Sequence, residues 1–226
     1  MKLTDDQLER AEQLARRLGS QNCWTGCSGS LASYALWMIQ EQREARRMER
    51  AQLIGITGRA GSGKNTVASM VAGAVVIQFA DPLYAMVAAM TGVPESLLRD
   101  RAAKERALPG LGKSPRQLLQ TLGTEWGRDL VDREIWVKLT AKRVEQLEIA
   151  GWQRVVICDV RFDNEARWIR EAGGEVWQVV RSTPGVAPHA SELGVSADLV
   201  DRRIYNAGGL DELRHEVALA GLAEAL

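Results

Sequence analysis

Residues 53–70 read LIGITGRAGSGKNTVASM, and this stretch decides the fold. It begins with an apolar run typical of a buried strand, continues through a glycine-rich turn and ends in helix-forming residues. Gly58, four further residues, Gly63 and Lys64 have the spacing of a loop that binds phosphate. Glycine lets backbone N–H groups approach an anion, and the helix that follows points its positive end at the same place. The stretch therefore predicts a phosphate-binding loop between a strand and a helix.

The residue after Lys64 departs from the usual pattern of such loops. Ser or Thr normally stands there because its hydroxyl binds Mg²⁺, but here Asn65 follows and Thr66 comes one residue later. The alternative is a glycine-rich turn that binds nothing. Apolar residues on both sides of the loop favour a phosphate site, in which Lys64 supplies a mobile positive charge.

Composition limits the classes of function. The chain has 226 residues, with 29 Lys and Arg against 29 Asp and Glu, which argues against a binder of polymeric nucleic acid or of membrane surfaces. Three cysteines and two histidines show no metal-binding spacing, and unpaired thiols fit a reducing cytoplasm. Cys158 lies in an apolar run and is expected in the core. The charged N-terminus does not resemble a signal peptide, and no stretch approaches the ~20 apolar residues that span a bilayer.

The pattern of apolar residues divides the chain into two parts. Residues 1–50 predict a helical hairpin with a loop at 20–29 and a charged run at 41–50; such a hairpin either packs on the core or forms a homodimer, and a partner-binding module is the sharper alternative. Residues 51–226 alternate strands and helices, which predicts a three-layer α/β/α fold with a five-stranded parallel sheet. The strands are expected at 52–57, 75–80, 154–159, 176–180 and 199–205, with a helical insertion at about 93–150.

Start and stop signals place several helices. Asp81 before a proline predicts a helix start, with Asp81 as N-cap, and Gly92 predicts its end. Ser114 and Gln117 have the spacing of a capping box. Gly123 should interrupt the helix that follows, at a cost of about 1 kcal/mol relative to alanine, and such a glycine often marks the close approach of a ligand or a neighbouring backbone.

Positive charge collects between residues 99 and 116 in an otherwise neutral protein. This suggests a site for a phosphate. Arg116 is the best candidate, whereas Arg99 and Lys113 fit a solvated helix face.

An acidic residue, Asp159, ends the third predicted strand. In phosphate-loop folds an aspartate there commonly reaches Mg²⁺, a water bound to it or the substrate; the alternative is a loop aspartate that caps backbone groups. Arg161 and Glu165 follow it, where the ligand crevice of a parallel sheet is expected. His189 lies in the last loop between strands, and a role as general base is disfavoured because an acceptor phosphate is already ionised.

Several segments together resemble one family, the phage-type deoxynucleoside monophosphate kinases. They are residues 58–68, 79–83, 114–124, 136–139, 159–165, 179–181, 189–192 and 206–210. The most specific are RQLLQTLGT at 116–124 and the pattern Asp-x-Arg-x-x-x-Glu at 159–165. The resemblance covers about 51–220 and leaves out the helical extension.

The resemblance implies an ATP-dependent kinase, with the nucleoside-monophosphate-kinase variant of the phosphate-loop fold, that phosphorylates a deoxynucleoside 5′-monophosphate with the help of Mg²⁺. It would act in the cytoplasm, that of the host if a phage encodes it. The residues expected to hold ATP are Arg59, Gly61, Gly63, Lys64, Asn65, Thr66 and Arg181. Those expected to contact the monophosphate are Tyr84, Arg116, Gly123, Thr124, Trp136, Asp159, Arg161 and Glu165. Catalysis would fall to Lys64, Arg116, Asp159 and Arg161, and Mg²⁺ to Asn65, Thr66 and Asp159.

Two positions depart from the family and two other functions stay open. The family usually has aspartate where Asn65 stands and lysine where Tyr84 stands, and the second change removes a charge directed at phosphate. Dephospho-coenzyme A kinase shares the IGITG start at 54–58 and is the nearest enzymatic alternative. A non-catalytic nucleotide-binding switch is the alternative from another class.

Overall fold

The computed structural model describes residues 5–21, 34–41, 50–100, 102–181 and 194–220. It divides into two compact units, Met1–Arg50 and Ala51–Leu226. In the first unit α1 spans Asp5–Gln21 and residues 34–41 form α2. The predicted loop at 20–29 and the charged run at 41–50 lie almost entirely outside the described residues, as does His189. None of the described helices is long and apolar enough to cross a membrane.

The second unit is built on a five-stranded sheet in which every pair of neighbours is parallel. The strands are β1 (Gln52–Thr57), β2 (Val75–Ile77), β3 (Arg154–Ile157), β4 (Glu175–Val180) and β5 (Arg202–Tyr205). Their order is β2-β3-β1-β4-β5, so the strand that enters the glycine-rich loop is central, with Ile54 level with Val156 on one side and Glu175 on the other. The predicted parallel sheet is confirmed, although β2, β3 and β5 are shorter than expected.

Helices cover both faces of the sheet. They are α3 (Lys64–Met70), α4 (Asp81–Thr91), α5 (Glu95–Arg99), α6 (Pro115–Gln120), α7 (Ile135–Ile149), α8 (Asp163–Glu171) and α9 (Leu210–Leu219). Successive strand residues point to opposite faces: Leu53 packs in a cluster that includes α7 and α8 residues, whereas Ile54 packs in one that includes α3 and α9 residues. The predicted three-layer fold is thereby confirmed. Cys158 is buried in the second cluster, as expected.

The helix ends follow the sequence signals with one difference. Ser114 and Gln117 form the predicted capping box, with the Gln117 N–H 3.3 Å from the Ser114 hydroxyl. Gly92 ends α4 in a left-handed conformation with φ of +71°. Asp81, however, is the first residue of α4 and not its N-cap, because its carboxylate accepts the N–H of Gln78 at 2.8 Å in the preceding turn.

The chain continues from α6 into a π-helix at Thr121–Val131. Gly123 therefore lies within a continuous helical stretch and does not end it, contrary to the prediction. Such wide helical turns are rare and are frequently found at functional sites. This π-helix, the short helices before it and α7 lie between β2 and β3, where the helical insertion at about 93–150 was predicted.

Candidate active site

The glycine-rich loop after β1 is held open by backbone conformation and by one distant side chain. Gly63 has φ of +102°, and a Cβ there would lie 2.5 Å from the Asn206 amide nitrogen. That nitrogen donates to the Ser62 carbonyl at 2.8 Å in a buried contact. Asn206 follows β5, and its part in fixing the loop is not predictable from the phosphate-loop motif alone.

The interior of the loop is suited to an anion. A Cβ on Gly61 would meet no atom within 4 Å, so space is left beside the backbone. The Lys64 ammonium donates to the carbonyls of Gly58 and Arg59 at 2.7 and 2.9 Å, which places its charge over the loop. The buried hydroxyls of Thr57 and Ser62 have no hydrogen-bond partner in the described part of the chain. Since buried hydroxyls are normally paired, the hydroxyl of Ser62, which lies in the loop itself, fits a loop that receives a polar ligand such as the phosphates of ATP.

The other residues expected around ATP are placed as follows. Asn65, the second residue of α3, is exposed to solvent, and Thr66 beside it is half-buried. Arg59 and Arg181 are exposed, the first in the loop and the second directly after β4. Their contact with nucleotide stays a prediction.

Asp159 follows β3, at the same edge of the sheet as the phosphate loop. Its carboxylate binds the backbone of another element. Its carboxylate oxygens accept the N–H groups of Phe79 and Ala80 at 2.8 and 3.1 Å, which fixes the turn that leads into α4. Burial, and after it the charge of Glu165, raise the pKa of Asp159 to about 6, against the opposing effect of the two N–H donors and of the Arg161 charge. The capping role that the sequence left as an alternative is therefore present.

The side chains predicted to bind Mg²⁺ are of a type that this ion accepts as ligands. No group of three His, Cys, Asp or Glu side chains that could hold a metal is found in the described ranges. Mg²⁺ usually keeps several waters and takes one or two protein ligands beside substrate phosphates. Asn65, Thr66 and the remaining lone pairs of the Asp159 carboxylate would supply such protein ligands. Their role in binding Mg²⁺ stays a prediction.

Glu165 does not offer its carboxylate to a substrate. It is 2% exposed, and its oxygens accept the N–H groups of Arg161 and Phe162 at 2.8 and 3.1 Å. A third donor, Arg128, lies 2.7 Å away. Burial raises the pKa of Glu165, and all three donors act against that shift. The predicted substrate contact is replaced by a structural one, because Glu165 holds the loop that carries Arg161.

Arg128 is the residue that sequence reasoning missed. It lies on the π-helix, its side chain is 14% exposed, and its guanidinium stacks 4.0 Å from the centre of the Phe162 ring. The pair with Glu165 ties the insertion to the loop after β3. The sequence gives no signal for this role, because Arg128 stands among other charged residues, Glu125 and Asp129, on the π-helix and nothing in its spacing points to Glu165.

Trp136 and Gly123 serve packing and not substrate contact. Trp136 is 2% exposed, and its indole N–H donates to the Gly123 carbonyl at 2.8 Å. Gly127 allows this approach, because a Cβ there would lie 2.4 Å from the Trp136 ring. Gly123 itself is buried against Leu83. Gly127 is required by the neighbouring indole ring. Because Trp136 is buried in this structure, its ring is not exposed to the monophosphate that it was predicted to contact.

Tyr84 and Arg99 also differ from their predicted roles. Tyr84 is 6% exposed and is covered by the Arg99 guanidinium, 4.0 Å from its ring centre. Arg99 donates to Gln78 and Asp81 at 2.7 and 2.8 Å, so it is not a solvated helix residue. Together they join α5 to the turn after β2, and the Tyr84 ring is not presented to a ligand.

Three predicted substrate residues are exposed and accessible. Thr124 and Arg161 lie on the π-helix and on the loop after β3. Arg116 is the second residue of α6 and pairs with Glu105 at 2.9 Å, in a contact open to solvent on both sides. An exposed pair of this kind is worth at most about 1 kcal/mol, so an incoming phosphate can displace Glu105. Their roles stay predictions.

A glycine-rich phosphate loop after the central strand, strand order β2-β3-β1-β4-β5 and a helical insertion before β3 define a phosphate-loop kinase. The family model for deoxynucleotide monophosphate kinase matches residues 112–217, which include β3 and Asp159 and leave out the glycine-rich loop. A protein of Acanthamoeba polyphaga mimivirus, provisionally described as a deoxynucleotide monophosphate kinase, is 34% identical over 62% of this chain and 80% of its own. The chain belongs to the deoxynucleotide monophosphate kinase family.

Two further kinases are similar in sequence to this chain. The deoxynucleoside-5′-monophosphate kinase of Escherichia phage T5 is 32% identical over 55% of this chain, and the match spans only 51% of the phage protein. A dephospho-CoA kinase from Symbiobacterium thermophilum is 30% identical over 75% of this chain and 80% of its own. The sequence is therefore similar to kinases of two acceptor classes.

Proposed function

We propose that this protein transfers the γ-phosphoryl group of ATP to the phosphate of a deoxynucleoside 5′-monophosphate. The proposal is supported by one observation, namely that two halves of a site lie on neighbouring strands. The loop after β1 is built for phosphates, and β3 next to it bears Asp159 and Arg161 on a loop that Glu165 and Arg128 tie to the insertion. The matched family model covers that second half.

The chemistry follows from charge. Both reactants are polyanions, so the barrier is lowered mainly by positioning and by neutralising negative charge. An oxygen of the acceptor phosphate attacks the γ-phosphorus, the bond to the β-phosphate oxygen breaks, and ADP leaves. Lys64 would neutralise the phosphates of ATP, and Arg116 and Arg161 those of the acceptor. Mg²⁺, bound near Asn65, Thr66 and Asp159, would supply further charge neutralisation at the transferred group.

Two other functions compete with this one. The similarity to dephospho-CoA kinase extends over more of this chain than the phage T5 match does, so a different small-molecule acceptor is the second candidate. A nucleotide-binding switch without an acceptor would suit the missing hydroxyl after Lys64. The acceptor-side family match opposes the switch.

One assay separates the three. ADP release from ATP and Mg²⁺ is measured over a panel of deoxynucleoside monophosphates, ribonucleoside monophosphates and dephospho-coenzyme A. We expect release that depends on a deoxynucleoside monophosphate, and a loss of several orders of magnitude in Lys64→Ala, which should keep its circular dichroism spectrum. Release with dephospho-coenzyme A alone, or none with any acceptor, would refute the proposal. A folded Lys64→Ala protein with near-normal turnover would refute the role of the loop.

A further inference from the structure

The burial of Trp136 and Tyr84 leaves open which aromatic ring receives the base of the acceptor. Among the described residues of the second unit, four aromatic side chains are at least 41% exposed, namely Trp126, Trp152, Phe162 and Tyr205. Trp152 precedes β3, at the end of the sheet opposite the phosphate loop. Tyr205 ends β5, two strands from β1 on the side away from the insertion. Phe162 and Trp126 remain on the acceptor side.

Phe162 is fixed next to the strand that enters the phosphate loop. Two residues before it, the Val160 N–H donates to the carbonyl of Ile56 at 3.1 Å, one residue before the end of β1. The Phe162 N–H is itself held by Glu165 at 3.1 Å. The backbone that carries the ring is therefore anchored on both sides, between the donor loop and α8.

One face of the Phe162 ring is already supported. The guanidinium of Arg128 lies 4.0 Å from the ring centre, and Glu165 fixes that guanidinium at 2.7 Å. The ring is nevertheless 46% exposed. A held aromatic ring that has a cation over it and nearly half of its surface open to solvent is pre-organised to stack on a flat ligand.

We propose that Phe162, supported by Arg128, is the ring on which the base of the acceptor nucleotide stacks. The inference rests on the proposed function, since it assigns the acceptor of that same site. It locates the base between the loop after β3 and the π-helix. Stacking alone distinguishes bases weakly because every base has a flat π-face, so this contact supplies affinity and tolerance of several bases.

The test uses the whole chain and measures binding separately from turnover. The dissociation constant of each deoxynucleoside monophosphate is measured by calorimetry without ATP, and the KM values for acceptor and ATP are measured in the coupled assay. For Phe162→Leu we expect a roughly tenfold higher dissociation constant for the acceptor, from the size of base–aromatic stacking. The KM for ATP should change less than twofold. Phe162→Trp should restore acceptor binding. Trp126→Leu, which removes another exposed ring from the π-helix that carries Arg128, is the matched control and should leave both constants unchanged.

The outcomes are distinguishable. A folded Phe162→Leu protein with a normal acceptor constant overturns the inference and leaves the kinase assignment intact, as does an equal rise in both KM values. A wild-type protein that transfers phosphate to no deoxynucleoside monophosphate overturns the proposed function and the inference with it.

Discussion

The Arg128 guanidinium lies 2.7 Å from the Glu165 carboxylate, across 37 positions of sequence, with the two side chains 14% and 2% exposed. This pair joins the π-helix of the insertion to the first turn of α8. Because Glu165 also accepts the backbone N–H groups of Arg161 and Phe162, the same carboxylate fixes the loop beside the phosphate site.

Removing either partner of this pair should destabilise the fold strongly. Arg128→Met leaves the buried Glu165 charge without its cation, which typically costs about 3–5 kcal/mol. Glu165→Gln should also be costly, and the double variant should lose less than the sum of the two. Urea denaturation measures all three, with Arg214→Met as control because Arg214 pairs with Asp211 on the surface, where about 0–1 kcal/mol is expected. Additive losses would contradict the coupling.

Two glycines of the phosphate loop form a matched pair for substitution. Gly61 and Gly63 both have positive φ, at +76° and +102°, but only a Cβ at 63 would meet the Asn206 amide. Gly61→Ala should cost about 1–2 kcal/mol through backbone strain alone. Gly63→Ala must also displace Asn206 from the Ser62 carbonyl. The Gly63→Ala protein should therefore melt at a lower temperature than Gly61→Ala and bind ATP more weakly. Equal melting temperatures and equal ATP affinities would show that Asn206 does not hold the loop.

Trp136 should affect stability and not acceptor affinity. Trp136→Phe keeps most of the buried surface and loses the hydrogen bond to the Gly123 carbonyl, at a cost of about 1–3 kcal/mol because that carbonyl is left unpaired. Trp136→Ala should cost about 3–5 kcal/mol. Thermal denaturation and the acceptor KM separate the two roles. A raised acceptor KM in Trp136→Phe with an unchanged melting temperature would support the predicted contact of Trp136 with the monophosphate.

The raised pKa of Asp159 predicts a pH dependence of stability in the protein without Mg²⁺ or nucleotide. Its folded pKa is about 6 against an ordinary 3.8, so between these values the folded state binds more protons than the unfolded state. Stability should therefore fall as pH rises from about 4 to about 6, by up to about 3 kcal/mol at roughly 1.4 kcal/mol per pKa unit, and this contribution should change little above that. Denaturation of wild type and Asp159→Asn at several pH values tests this. The same slope in both proteins would assign it to other groups.

Asn65 sets the Mg²⁺ requirement if it lies beside the ion. Asn65→Asp adds a carboxylate, which is a stronger ligand for Mg²⁺ than an amide, so half-maximal phosphoryl transfer should need less Mg²⁺. Asn65→Ala should need more. The measurement is an Mg²⁺ titration of the coupled assay at fixed ATP. An unchanged Mg²⁺ requirement in both variants would place the ion away from residue 65.

The sequence by itself determined the fold and the position of the glycine-rich loop. Alternating strand and helix patterns, the loop from Gly58 to Lys64 and the capping box at Ser114 depend on residues close together in the chain, and the structure has the sheet, the loop and the cap where they were predicted. These features can be inferred from sequence because helix periods, turns and caps are local.

Only the tertiary structure decided which acceptor-side residues can meet a ligand. Trp136 and Glu165 were predicted to contact substrate, but a residue type does not show whether its side chain points into the core or towards solvent. Gly123 and Arg128, 13 and 37 positions away, occupy their polar groups. Pairings at that distance depend on how the insertion packs against β3 and α8. The same packing leaves the Phe162 ring exposed beside Arg128, where we propose that the base of the acceptor stacks.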